Sequence, residues 1–111
     1  MTLKNLTAEE RDVIRRALLA TFEFFDFDFQ TRLGVYPETV REIIGKWPAV
    51  DDSDDNSDAC LAINNALNDL LFGVGIKDHK AQEVMGVYRA ELDRIYKKWA
   101  KSRGWSSTGI R

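Results

Sequence analysis

The sequence predicts an all-α fold: a single compact domain of about six helices. Three observations carry this expectation. Apolar residues recur at helical spacing along most of the chain, and the one strand-like alternation, EFFDFDF, has no second strand to pair with. Residues that start and stop helices stand where those apolar patterns begin and end. Finally, the chain states one stretch twice, since LGVYPETVREIIGKW (Leu33–Trp47) returns 52 positions later as MGVYRAELDRIYKKW (Met85–Trp99). Gly34, Val35, Tyr36 and Trp47 recur as Gly86, Val87, Tyr88 and Trp99, and Val40 and Ile43 as Leu92 and Ile95. A repeat of this length marks a supersecondary unit used twice. The expected organisation is two related three-helix halves, at about 7–50 and 58–103, with an acidic linker at 51–57 and a flexible tail at 104–111.

The elements follow in order. Thr7 and Glu10 have the spacing of a capping box, which opens a helix over about Ala8–Phe24. On that helix Val13, Ile14, Ala17, Leu18, Phe22, Phe24 and Phe25 cover nearly half the circumference, an arc wide enough for several neighbours. Asp26 or Asp28 can cap a short helix to Leu33, with the clustered phenylalanines filling the core between helices. Gly34 supplies a left-handed turn, and Pro37 suits the first position of a helix to about Trp47, which Pro48 stops. That helix is expected to bury Val40, Ile43, Ile44 and Trp47. Ser57 or Asp58 caps the next helix, about Ala59–Phe72, whose apolar arc is Ile63, Ala66, Leu67, Leu70 and Leu71. Gly73 and Gly75 end it, Asp78 caps a short helix to Met85, and Gly86 repeats the turn. The last helix, about Arg89–Ser102, buries Leu92, Ile95, Tyr96 and Trp99 on one narrow face, worth roughly 6–12 kcal/mol of gross hydrophobic stabilisation.

Composition bounds the function. The 111 residues are 44% hydrophobic and 31% charged, values of a folded soluble chain and not a disordered one. No apolar run approaches the ~20 residues that span a bilayer, so no membrane partner is expected. The segment MTLKNLTAEERD lacks a charged-then-apolar leader, which points to a cytoplasmic protein. The net charge of −2 argues against general coating of nucleic acid, but the charge is polarised. From Glu38 to His79 nine acidic residues face three basic ones, whereas Lys80–Arg111 holds three acidic and eight basic.

Residues able to do chemistry are few. His79 is the only histidine and Cys60, the only cysteine, falls within an apolar arc, so neither a metal site nor a nucleophile with its base is expected. Asp52, Asp54, Asn56 and Asp58 have the alternate spacing of a calcium loop, but position six is Ser57 instead of Gly and position twelve is Ile63 instead of Glu. No cofactor motif is present, and the expectation is a protein without cofactor or metal. Two groups of residues qualify for binding. The stripe Arg94, Lys97, Lys98 and Lys101 lies opposite the buried face of the last helix and, with Arg89 at its start, is either a partner-binding surface or a solvated face. Asn64, Asn65 and Asn68 place three poor helix formers in five positions: either Asn64 and Asn68 bond the backbone of a neighbouring loop or helix end, or the three form a polar patch, or they face solvent.

The segments Phe29–Ile43 and Ala81–Ile95 resemble the helix-turn-helix of DNA-binding regulators. The likeness rests on Phe29, Leu33, Val35, Val40 and Ile43 about the glycine of the first, and on Ala81, Met85, Val87, Leu92 and Ile95 about that of the second. Gln30 and Gln82 stand where that family prefers alanine. The resemblance implies recognition positions at Tyr36, Pro37, Glu38, Arg41 and Glu42, which are too acidic for phosphates, and at Tyr88, Arg89, Asp93 and Arg94, which are not. More loosely, WPAVDDSD and AINNALNDLL resemble small bacterial helical proteins, which implies a fold and no activity. The expected function is therefore non-catalytic: a protein-interaction or regulatory module, with DNA binding through the second half as the alternative.

Overall fold

The computed structural model describes residues 6–24, 34–47, 49–50, 57–73 and 75–102, and all its regular structure among them is helical. Five α-helices appear: α1 (Ala8–Phe24), α2 (Pro37–Gly45), α3 (Asp58–Asn68), α4 (Asp78–Met85) and α5 (Arg89–Ser102). A π-helical segment, Asp69–Gly73, continues α3. The short helix expected before Leu33, the acidic linker, and the tail lie outside the described residues.

Local chemistry explains each start. The Glu10 N–H donates to Thr7 Oγ1 at 3.1 Å and the Thr7 N–H to Glu10 Oε1 at 2.8 Å, so the capping box forms as expected. Pro37 opens α2, where its missing N–H costs nothing. Ser57 caps α3, its hydroxyl accepting from the Cys60 N–H at 3.1 Å. Gly34 (φ +78°) and Gly86 (φ +80°) sit in the left-handed region that side chains disfavour. After each glycine the chain turns through a valine and a tyrosine into the next helix. The Tyr36 carbonyl accepts from the N–H groups of Thr39 and Val40, and the Tyr88 carbonyl from those of Glu91 and Leu92.

Two helices hold the centre. α1 packs against α2, α3 and α4, while α3 also meets α2 and α5. Ile14 and Leu18 of α1, Ile63 and Leu67 of α3, and Leu92 and Trp99 of α5 are all completely buried. The buried apolar residues form one core in a globule with a radius of gyration of 12.5 Å.

Two expectations need correction. Trp47 is only half-buried, lying beyond the end of α2 in a turn, with its indole N–H buried yet unbonded. Trp99, its counterpart in the repeated stretch, is fully buried and stacks on Tyr96 at 6.4 Å between centroids. The difference follows from helix length: α2 ends at Gly45, two residues short of Trp47, whereas α5 runs past Trp99. Asp78 does not cap α4 either; Lys77 occupies that position with no side-chain bond, and Asp78 serves another helix. The tryptophans should separate in urea denaturation. Trp99→Ala is expected to cost about 3–5 kcal/mol and Trp47→Ala no more than about half of that. Equal losses would contradict the unequal burial.

Candidate functional site

The site with unspent chemistry lies where the π-helical segment meets the start of α5. Helix α3 does not stop at Asn68 but widens into a π turn, a feature that in proteins often accompanies function. A Cβ at Gly73 would fall 1.4 Å from Asp69 Oδ1, so any larger residue there would force the Asp69 side chain to move. The Ile76 N–H then closes on the Leu70 carbonyl at 2.8 Å. The turn buries Leu70 and Leu71 and leaves Phe72 62% exposed.

Arg89, the first residue of α5, ties three elements together. Its backbone N–H donates to Asp78 Oδ1 at 3.1 Å, so a side chain of α4 satisfies an orphan donor of α5. Its Nη2 donates to the Leu71 carbonyl, one of the groups left open where the helical ladder ends. The Arg89 Nε is buried and makes no hydrogen bond within the protein. One turn further on, Asp93 Oδ2 pairs with Lys97 at 2.9 Å, while Oδ1 is buried and likewise unbonded. Leaving such an atom unpaired costs roughly 1–3 kcal/mol, so a donor and an acceptor left together on one helix call for a reason. With Leu71, Phe72 and Ala90, these two residues line a cleft of about 220 Å³. Two broader grooves, one where α1 meets the α4–α5 turn and one where α2 meets α3, have no such atom in their lining.

The basic stripe is exposed, as expected, and extensively paired. Arg94 meets Glu91, and also Glu10 at 2.9 Å; Lys98 meets Glu10 at 2.9 Å; Lys97 holds Asp93. Lys101 makes no ion pair among the described residues. Glu10 is the hub, buried although charged. The Thr7 backbone N–H, followed by the Lys98 ammonium and Arg94, holds its carboxyl down at about 2. The Arg94 guanidinium is correspondingly held more firmly protonated, by Glu91 first and Glu10 second.

The asparagines divide. Asn64 is buried, its Oδ1 accepting from the Tyr96 hydroxyl at 2.6 Å and its amide donating to Asn65 Oδ1 at 3.3 Å. Its partner is thus a side chain of α5, 32 residues away, and not the loop backbone that the sequence suggested. Asn65 and Asn68 are half-buried. Cys60 is buried in α3, whereas His79 is exposed on α4. Among the described residues no group of three or more His, Cys, Asp or Glu side chains could hold a metal ion. Three of the calcium-loop positions lie outside those residues; the fourth, Asp58, is exposed at the start of α3. Sequence reasoning placed Arg89 and Asp93 together on the last helix but did not bring Leu71 and Phe72 to them. The only trace was the apolar run before Gly73 and Gly75.

No known protein family matches the chain, and no curated protein or solved structure is significantly similar to it.

Two measurements test this description. A carboxyl depressed from 4.5 to about 2 in the folded state contributes stability at neutral pH that is lost as pH falls from about 4.5 towards 2. Because Arg94 and Lys98 are half-exposed, solvent screening reduces that contribution to about 1–2 kcal/mol. Glu10→Gln should flatten the pH dependence of stability between 5 and 2 by about that amount; a profile identical to the wild type would refute the hub. Separately, Asn64→Ala removes the acceptor that the Tyr96 hydroxyl bonds in the core and should cost about 1–3 kcal/mol. The double variant with Tyr96→Phe should recover part of the loss, and strict additivity would mean the bond contributes nothing.

Proposed function

We propose that the protein is a non-catalytic protein-interaction module built from two related helix-turn-helix-like halves. Support for the relation between halves comes from the matched turns at Gly34 and Gly86. The tyrosines that follow have nearly equal exposure, 59% for Tyr36 and 58% for Tyr88. The completely buried Val40 and Leu92 stand at matching positions beyond them.

One observation favours a protein partner over DNA: the cations of the last helix are largely committed within the chain. Arg94, Lys97 and Lys98 already neutralise Glu10, Glu91 and Asp93. A duplex would have to compete with these carboxylates for every phosphate contact, and affinity in such complexes comes mainly from phosphates. Protein recognition asks less of net charge and more of exposed aromatic residues and arginine, which Tyr88, Phe72 and Arg89 supply at one end of the bundle.

A salt titration against random-sequence duplex, beside a pull-down from host lysate with and without nuclease, tests this reading. We expect no duplex binding at ~50 mM salt, and retention of a protein that survives nuclease. Duplex binding whose log–log salt slope flattens by about two units in a Lys97→Gln, Lys98→Gln variant would replace the reading with DNA binding.

A further inference from the structure

We infer that the protein pairs with a second copy of itself by exchanging halves. The half made of α3, α4 and α5 docks on the α1–α2 half of another chain, through the contacts that join the two within one chain. Those contacts are of three kinds. In the core, Ile14 and Leu18 of α1 and Ile63 and Leu67 of α3 are completely buried, with α1 packed on α3 and α4, and α2 on α3. At the turns, each half is seated on the first long helix of the other. A Cβ on Gly34 would lie 3.4 Å from Asn65 Nδ2 of α3, and one on Gly86 would lie 3.2 Å from Arg16 Nη1 of α1. The third kind is electrostatic, with carboxylates on the first half and cations on the second. Lys80 meets Glu23 at 3.3 Å, and Arg94 and Lys98 each meet Glu10 at 2.9 Å.

A half parted from its mate would open the apolar sides of α1 and α3 to water, which penalises them in proportion to the area exposed. Another copy's half covers the same area with the same contacts. Exchange requires only that the chain divide at 51–57, whether or not the halves share an origin. The exchanged dimer makes every contact between halves twice and needs no new surface, so concentration decides between it and the closed monomer. Short connections keep linked modules at an effective concentration on the order of 1 mM, and exchange competes as the folding chain approaches that value. Charge selects the pairing, because two first halves would bring carboxylate to carboxylate. Return to the monomer requires the shared core to come apart, which makes the dimer slow to revert once formed.

The test uses the full chain. Wild type refolded from urea should be monomeric at ~10 µM and yield a dimer near ~1 mM, read by size-exclusion chromatography with light scattering. The dimer, isolated and diluted to ~10 µM, should persist for hours and keep the monomer's amide spectrum in α1, α3 and α5. Two charge-reversed chains then identify the surfaces. One carries Glu10→Lys and Glu23→Lys, the other Lys80→Glu and Lys98→Glu, so each sets like charges against each other across its own halves. Only in the mixed dimer does every first half meet a second half of opposite sign at these positions. Refolded together, the two chains should give mixed dimer in about tenfold or greater excess over either homodimer, even where neither variant folds alone. Monomer alone at ~1 mM wild type would overturn the exchange. So would a mixture with no preference for the mixed dimer. The lysate experiment is independent of both results, so the exchange and the reading as an interaction module fall separately.

Discussion

The structure depends on how the last helix is seated. α5 buries Leu92, Ile95, Tyr96 and Trp99, all at most 2% exposed, and it carries a phenol hydroxyl into the core with them. Such a hydroxyl is tolerable only if it is bonded, and Asn64 of α3 bonds it at 2.6 Å. That contact, together with the four buried side chains, sets which face of α5 meets α3. Once that face is set, the positions of the remaining side chains of the helix follow.

One consequence is electrostatic. With the apolar face turned inward, Arg94, Lys97 and Lys98 must turn outward, and the first turn of α1 brings Glu10 beneath two of them. Glu10 thereby does two things at once: its backbone N–H closes the capping box of α1, and its carboxylate, shared with Thr7, binds the cations of α5. Part of the positive charge of α5 is therefore neutralised by a carboxylate of α1. The other consequence lies at the N-terminal end of α5. There Arg89 reaches the π-helical segment, and its bond to Leu71 closes one side of the cleft while Asp93 closes the other. A structural helix along most of its length thus carries in its first two turns two of the three buried side-chain atoms that lack a hydrogen bond among the described residues.

Much of this was legible in the sequence where the cause is local. The bounds of α1 and α5, the Thr7–Glu10 box, the Ser57 cap and the left-handed Gly86 each follow from residues within one or two turns of each other. What could not be read depends on distance or on competing local forces. Glu10 and Lys98 are 88 residues apart, so no spacing rule connects them. Asp78 looked like the cap of its own helix, yet the fold places it against the N–H of Arg89, 11 residues on. The run Leu70–Leu71–Phe72 has the same apolar pattern whether it forms an α or a π turn. Trp47 matched Trp99 in sequence and not in burial, because the helix before it stops early. The candidate cleft was the least legible feature of all, being assembled from two segments with no shared motif.

Native-state hydrogen exchange tests most directly the claim that α5 is part of the central core and not a helix laid upon it. The account predicts that amides of α5 from Leu92 to Trp99 exchange only with global unfolding, in step with those of Ile14, Leu18, Ile63 and Leu67. It also predicts that Asp69–Gly73 exchanges earlier, by local opening. Exchange of α5 well before α1 and α3 would contradict it, since a helix that detaches alone cannot be held by the Asn64–Tyr96 bond and the Glu10 cluster.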